Sequence, residues 1–185
     1  MKVYETKLEN VLVIETDMYQ DARGYFSETY NQHDFNEAGI KVTFIQDNHS
    51  FSKDAGVLRG LHFQEPPFAQ SKLVRVTSGA IYDVIVDIRS KSRTFGQWIS
   101  IILSAENKKQ VFVPEGFAHG FCTLTSDTNV IYKTDAYYSR EHESGIIWND
   151  SDLNIPWPVK EPFLSTKDEF LPIFKHLSIL EEKFK

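Results

Sequence analysis

The stretch Leu73-Val74-Arg75-Val76-Thr77-Ser78-Gly79-Ala80-Ile81-Tyr82-Asp83-Val84-Ile85-Val86-Asp87 decides the fold class. Two runs rich in β-branched residues flank Thr77-Ser78-Gly79-Ala80, a tight-turn signal that predicts a hairpin. The second run alternates with the period of two of a strand: Tyr82, Val84 and Val86 share one side, while Asp83 and Asp87 share the other with Ile81 and Ile85. Comparable short segments recur at residues 11–14, 25–30, 42–46, 98–103, 111–113, 120–124 and 130–134, punctuated by Gly, Pro, Asn and Asp. That pattern predicts an all-β sandwich or barrel. Helix is expected only as decoration, at residues 34–38 before Gly39 and over 173–184. The string Asn154-Ile155-Pro156-Trp157-Pro158 cannot be a central strand, because proline lacks the ladder donor, and is expected to begin a tail packed over the barrel.

A chain of 185 residues with 41% hydrophobic content can build one sizeable core, so residues 1–185 are read as one domain. A net charge of −6 argues against a nucleic-acid or membrane surface, and an anionic ligand must therefore meet a local basic cluster. The single cysteine, Cys122, cannot close an internal disulfide, and no apolar run resembles a leader or a membrane span, so a cytoplasmic location is expected.

The polar chemistry is concentrated in two blocks. Gln46-Asp47-Asn48-His49-Ser50, Gly56-Val57-Leu58-Arg59-Gly60-Leu61-His62-Phe63-Gln64 and Lys72 set charged and amide groups within segments that otherwise read as buried strands. That is costly unless they line a wet or ligand-filled cavity. The second block is Pro114-Glu115-Gly116-Phe117-Ala118-His119-Gly120-Phe121. In a regular strand Arg59 and His62 have opposite parity, so for both to face one cavity a bulge or bend is expected at Gly60.

The spacings Gly-x5-His, ending at His62, and Pro-x-Gly-x2-His, ending at His119, resemble the half-motifs of cupin barrels. The second His and the Glu that complete a cupin metal site are missing, which leaves too few ligands for tight Zn, Fe or Mn binding. A metal-free pocket is expected. The ordered strings Asp21-x-Arg23-Gly24-Tyr25-Phe26-x-Glu28, Gln46-Asp47-Asn48-x-Ser50, Leu58-Arg59-Gly60-Leu61-His62-x-Gln64, Lys72-Leu73-Val74, Asp83-Val84-x-Val86-Asp87, Pro114-to-Phe121 and Leu164-Ser165-x-Lys167-Asp168 together resemble the dTDP-4-dehydrorhamnose 3,5-epimerase family.

The resemblance implies a cupin-like jelly-roll β-barrel with short peripheral helices. It also implies cofactor-free inversion of C3 and C5 in a dTDP-linked 4-keto-6-deoxy sugar. By it, His62 is the base, Asp168 its orienting partner, Lys72 the stabiliser of an enolate oxygen and Tyr132 the acid on the opposite face. Arg23 and Arg59 take the pyrophosphate, Gln46 and Asn48 the phosphate or sugar, and Phe26, Glu28 and Tyr138 the nucleoside; His119 and Asp83 support the pocket rather than perform the proton transfer. The resemblance further implies a homodimer with exchanged N-terminal strands, so that Arg23, Phe26 or Glu28 serves the neighbour. By composition alone the two arginines read as surface ion-pair partners and Asp168 as a turn or capping residue. The alternatives are a monoepimerase on a related nucleotide sugar, a non-catalytic sugar-nucleotide-binding cupin, and a metal-dependent cupin enzyme.

Overall fold

The computed structural model describes residues 1–180. In chain order its elements are β1 (Lys2–Glu5), β2 (Leu12–Glu15), β3 (Tyr19–Asp21), β4 (Gly24–Phe26), α1 (Gln32–Glu37), β5 (Gln46–Ser52), β6 (Leu58–Gln64) and β7 (Lys72–Ser78). There follow β8 (Ala80–Asp87), β9 (Trp98–Ser104), β10 (Gln110–Val113), β11 (Phe117–Thr123), β12 (Thr128–Thr134), β13 (Glu143–Gly145), α2 (Thr166–Glu169) and a 3-10 segment, Phe174–Leu180. A six-stranded sheet in the order β1-β2-β10-β7-β12-β5 faces a five-stranded sheet in the order β13-β6-β11-β8-β9. This is the all-β, cupin-like jelly roll. Among the described residues no helix is long and apolar enough to cross a membrane.

Strand periodicity builds the three apolar layers. Val74 and Val76 of β7, Ile81 and Ile85 of β8, Val111 and Val113 of β10, and Phe117 and Phe121 of β11 point inward and form the core between the sheets. Each side chain of this size, once fully buried, contributes about 1.5–3 kcal/mol. The opposite parity of β8 and β11, Val84, Val86 and Ala118, faces outward, where Ile146, Leu153, Ile155 and Trp157 of the C-terminal segment cover it. Leu73 and Phe112 face out on the other sheet beneath Phe35 of α1.

Three sequence expectations are corrected. The turn at Gly79 is tight, with φ of 77°, yet it makes no hairpin. β7 pairs with β10 and β12, whereas β8 pairs with β11 and β9, so the chain crosses from one sheet to the other. The Thr125 hydroxyl accepts from the Ala80 N–H (3.1 Å), which satisfies a backbone donor at the corner that a ladder would have used. Residues 42–45 alternate in burial, but Val42 and Phe44 pack on the α1 layer without a partner strand, so pairing starts only at Gln46. Of the expected helix over 173–184, the structure gives a 3-10 segment, and residues 181–184 lie outside the described residues.

The irregularity expected at Gly60 is present. His62 pairs with His119 and Arg59 with Phe121, so three steps along β6 match two along β11. Gly60 has φ of 117°, and a Cβ placed on it would lie 2.6 Å from Gly120 Cα and 2.8 Å from the His119 carbonyl oxygen. Backbone cannot yield to such a contact as a flexible side chain would. Gly60→Ala is therefore expected to destabilise the fold by about 2–4 kcal/mol, read as a lowered thermal midpoint of the ligand-free protein. An unchanged midpoint would show that β6 and β11 do not need this approach.

Candidate active site

The bulge turns Arg59 and His62 of β6 into one cavity of about 280 Å³ between the sheets. The five-stranded sheet also supplies His119, the six-stranded sheet supplies Ser50, Lys72 and Tyr132, and the segment at α2 supplies Ser165, Lys167 and Asp168. Six residues singled out from the sequence, Arg59, His62, Lys72, His119, Tyr132 and Asp168, are thus brought together.

Asp168 reaches the site because Ser165 caps α2, its side chain accepting from the Asp168 N–H. Ser165, not Asp168, is the cap. The Asp168 carboxylate accepts from His62 Nε2 at 2.5 Å, across 106 residues of sequence. That bond assigns the proton to Nε2 and leaves Nδ1 with the basic lone pair. Burial pushes the Asp168 carboxyl up, but the His62 and Ser165 hydrogen bonds and the Lys167 charge outweigh it and hold the group below its ordinary value. A fixed anion behind the imidazole favours the protonated ring that forms when it accepts a proton.

Burial dominates at Lys72, lowering its pKa from 10.5 to about 8 against the attraction of Asp83 and Glu143. Its ammonium makes one long bond, to the His62 carbonyl at 3.4 Å. Burial likewise raises the Tyr132 phenol, so it stays protonated at neutral pH and can donate. His119 Nε2 donates to the fully buried Asp83 carboxylate at 2.8 Å. The Ser50 hydroxyl, in the cavity wall, is buried and has no hydrogen-bond partner among the described residues.

Gln46, Asn48 and Tyr138 are not among the residues that line this cavity. Gln46 and Asn48 share the inner parity of β5 with Ser50, and Gln46 Nε2 donates to Asn48 Oδ1 (3.0 Å) while its carbonyl accepts from the Tyr138 N–H (3.0 Å). The Tyr138 hydroxyl donates to Glu143 at 2.7 Å, and Glu143 also pairs with Lys167. Neither Glu143 nor Lys167 was assigned a role from the sequence. Lys167 lies inside a string already singled out, whereas Glu143 sits in a polar run that reads as loop.

Arg23, Phe26 and Glu28 are not brought to this cavity within one chain. The β3–β4 hairpin stands apart as its own two-stranded sheet, with Arg23 closed on Asp21 at 2.5 Å and Phe26 67% exposed. Glu28 accepts from Asn31 (2.9 Å) in a separate depression beside Met1. The physical reason is that β3 and β4 pair only with each other, so nothing in the same chain draws them across the barrel.

A sequence model described as dTDP-4-dehydrorhamnose 3,5-epimerase matches residues 5–176. The chain belongs to the dTDP-4-dehydrorhamnose 3,5-epimerase family. It is 53% identical to the dTDP-4-dehydrorhamnose 3,5-epimerase of Shigella flexneri over 169 residues, covering 91% of this chain and 93% of that one. A crystal structure of the epimerase from Bacillus anthracis with TDP and PPi bound superposes with a TM-score of 0.92 at 53% identity, covering 93% of this chain and 98% of that one. The Legionella pneumophila enzyme in complex with dTDP-4-keto-L-rhamnose superposes at 0.90 and 43% identity, covering 94% and 93%.

The depressed Lys72 value carries a cost for the fold. Below about pH 8 the folded chain holds a buried ammonium that the unfolded chain would solvate, and the penalty is relieved as pH rises from about 8 toward 10.5. The fall from 10.5 to about 8 corresponds to ~3 kcal/mol, the attraction of Asp83 and Glu143 already included. Lys72→Met is expected to raise the thermal midpoint at pH 7 by roughly 5–10 °C while abolishing turnover. A lowered midpoint would mean that the ammonium is held at no cost.

Proposed function

We propose that this chain inverts C3 and C5 of dTDP-4-keto-6-deoxyglucose, giving dTDP-4-keto-L-rhamnose, by proton transfer at the carbons beside the C4 ketone. The observation that carries the reading is the His62 imidazole on one sheet and the Tyr132 phenol on the facing sheet, lining one cavity with Lys72, which shares the sheet of Tyr132. His62 Nδ1 takes the proton from carbon, and the C–H electron pair moves into a carbon–carbon double bond as the carbonyl becomes an enolate. The Lys72 ammonium stabilises that oxygen, charged only along the reaction path, where a fixed donor accelerates most. Tyr132 then returns a proton to the opposite face, and exchange with solvent resets both groups. Carbon oxidation state is unchanged in each inversion, so the chemistry calls for no hydride carrier.

Arg59 binds the diphosphate by its guanidinium fork, Gln46 and Asn48 the phosphate or sugar, and Tyr138 the nucleoside, while His119 supports the pocket. Asp168 sets the His62 tautomer. The whole chain is read as one such domain working in the cytoplasm as a homodimer, with Arg23, Phe26 and Glu28 completing the neighbour's nucleotide site. Exposed aromatics on the β3–β4 hairpin support that reading.

With dTDP-4-keto-6-deoxyglucose in deuterium oxide, NMR should show solvent deuterium entering both C3 and C5. His62→Asn should slow exchange at both by about 10²–10⁴-fold. Label at one carbon alone would make the chain a monoepimerase, and tight binding without any label would make it a non-catalytic binding protein. Mixing an Arg23→Ala subunit with a His62→Ala subunit should restore part of the activity that each homodimer lacks. No recovery would place Arg23 outside the neighbour's site.

A further inference from the structure

The carboxylates around the cavity are unequally matched. Asp168 is engaged by His62, and Glu143 by Lys167 and the Tyr138 hydroxyl. Asp83 is fully buried on the inner face of β8 between Ile81 and Ile85, and only its Oδ2 is bonded, by His119 Nε2. Its Oδ1 has no hydrogen-bond partner among the described residues. One bond from an imidazole does not offset a buried carboxylate, which needs a cation or several donors. Facing it from the other sheet is Lys72, on the inner parity of β7 with Val74 and Val76, whose ammonium has three donors and makes one 3.4 Å bond among the described residues.

We propose that Asp83 is a positioning residue for Lys72: anchored by His119 through one oxygen, it uses the free one to hold the lysine charged and turned into the cavity. This deepens the epimerase reading and rests on it, since Lys72 must carry its proton to steady the enolate. The attraction acting on Lys72 is greatest from Asp83, ahead of Glu143. The remaining groups around it are His62 of β6, His119 of β11 and Tyr132 of β12, and Asp168 of α2, whose charge is turned to His62. Arg59 and Lys167 are cations and oppose a charged lysine.

The direction of the pH effect follows. With Asp83 in place Lys72 loses its proton near pH 8, so the rate declines as pH rises through that value. Without the carboxylate, burial acts with less opposition, Lys72 deprotonates at lower pH, and the alkaline decline moves toward acid.

The decisive variant is Asp83→Asn, of the same shape and without the charge. Deuterium incorporation measured across pH should show the alkaline decline moved down by about one pH unit or more, with kcat near pH 8 reduced about fivefold or more, KM little changed, and much of the rate recovered at lower pH. A loss of equal size at every pH would overturn the proposal and make Asp83 a structural residue. The Lys72 ε-carbon signal, titrated by NMR in ligand-free protein, should move in parallel, and it tests Asp83 even if the wild-type chain exchanges no label. Should Asp83→Asn not fold, Glu143→Gln decides: with Asp83 still present Lys72 should titrate within about half a pH unit of wild type. A fall of a full unit there would pass the role to Glu143 and overturn the assignment.

Discussion

The backbone approach of β6 to β11 at Gly60 and Gly120 is the constraint on which the site depends. A strand in perfect register with its neighbour would send Arg59 and His62 to opposite faces, one into the barrel and one out. The extra residue in β6 removes that conflict, and the absence of Cβ atoms lets the strands stay together while it does so. Arg59, His62 and His119 then share a wall, although Leu61 and Phe63 still reach the outer apolar layer. The same local irregularity thus serves packing on one face and chemistry on the other. The wall is closed by α2, delivered from the far end of the chain once Leu153, Ile155 and Trp157 have anchored the C-terminal segment on the outer face.

A second constraint is electrostatic. A chain of net charge −6 gathers Arg59, Lys72 and Lys167 at one cavity, a local positive cluster of the kind an anionic ligand requires. Unopposed, three cations in a half-buried space would repel one another. Asp83, Glu143 and Asp168, each from a different strand or helix, oppose that charge: Asp83 and Glu143 attract Lys72, Glu143 pairs with Lys167, and Asp168 is bonded to His62. The division also separates roles. A carboxylate backing an imidazole makes a better base, whereas one backing an ammonium makes a more durable cation. Enolate chemistry needs both in the same pocket at the same pH.

Much of this was legible in the sequence, for different reasons. Period-two alternation assigned both faces of β8 correctly, because a strand with both faces buried must send alternate residues to two separate apolar layers. The cluster of Arg59, His62, Lys72 and His119 was legible because polar groups inside apolar strands are costly and so mark a cavity. The irregularity at Gly60 followed from parity alone. The route of the chain at Gly79 was not legible, since a tight turn has the same local chemistry whether it closes a hairpin or crosses between sheets. Only long-range pairing with β10, β11 and β12 distinguishes the two. Glu143 escaped notice for a related reason: β13 has no β-branched residue and becomes a strand only because the edge of β6 is there to pair with it.

What a single chain leaves open is the nucleotide end. Tyr19, Tyr25 and Phe26 on the β3–β4 hairpin are 66%, 59% and 67% exposed, and a free two-stranded ribbon is marginal in water. Aromatic residues so placed gain little where they stand and much if a second surface covers them. The proposed homodimer supplies that surface and at the same time carries Arg23, Phe26 and Glu28 to where a nucleoside diphosphate lacks partners. In that arrangement catalysis and recognition are divided between subunits. The proton-transfer groups are built wholly from one barrel, whose core fixes them, while the nucleotide grip depends on association. Isolated subunits would then keep a correctly formed His62–Asp168 pair and lose affinity first, so dilution should weaken binding before it alters the chemistry.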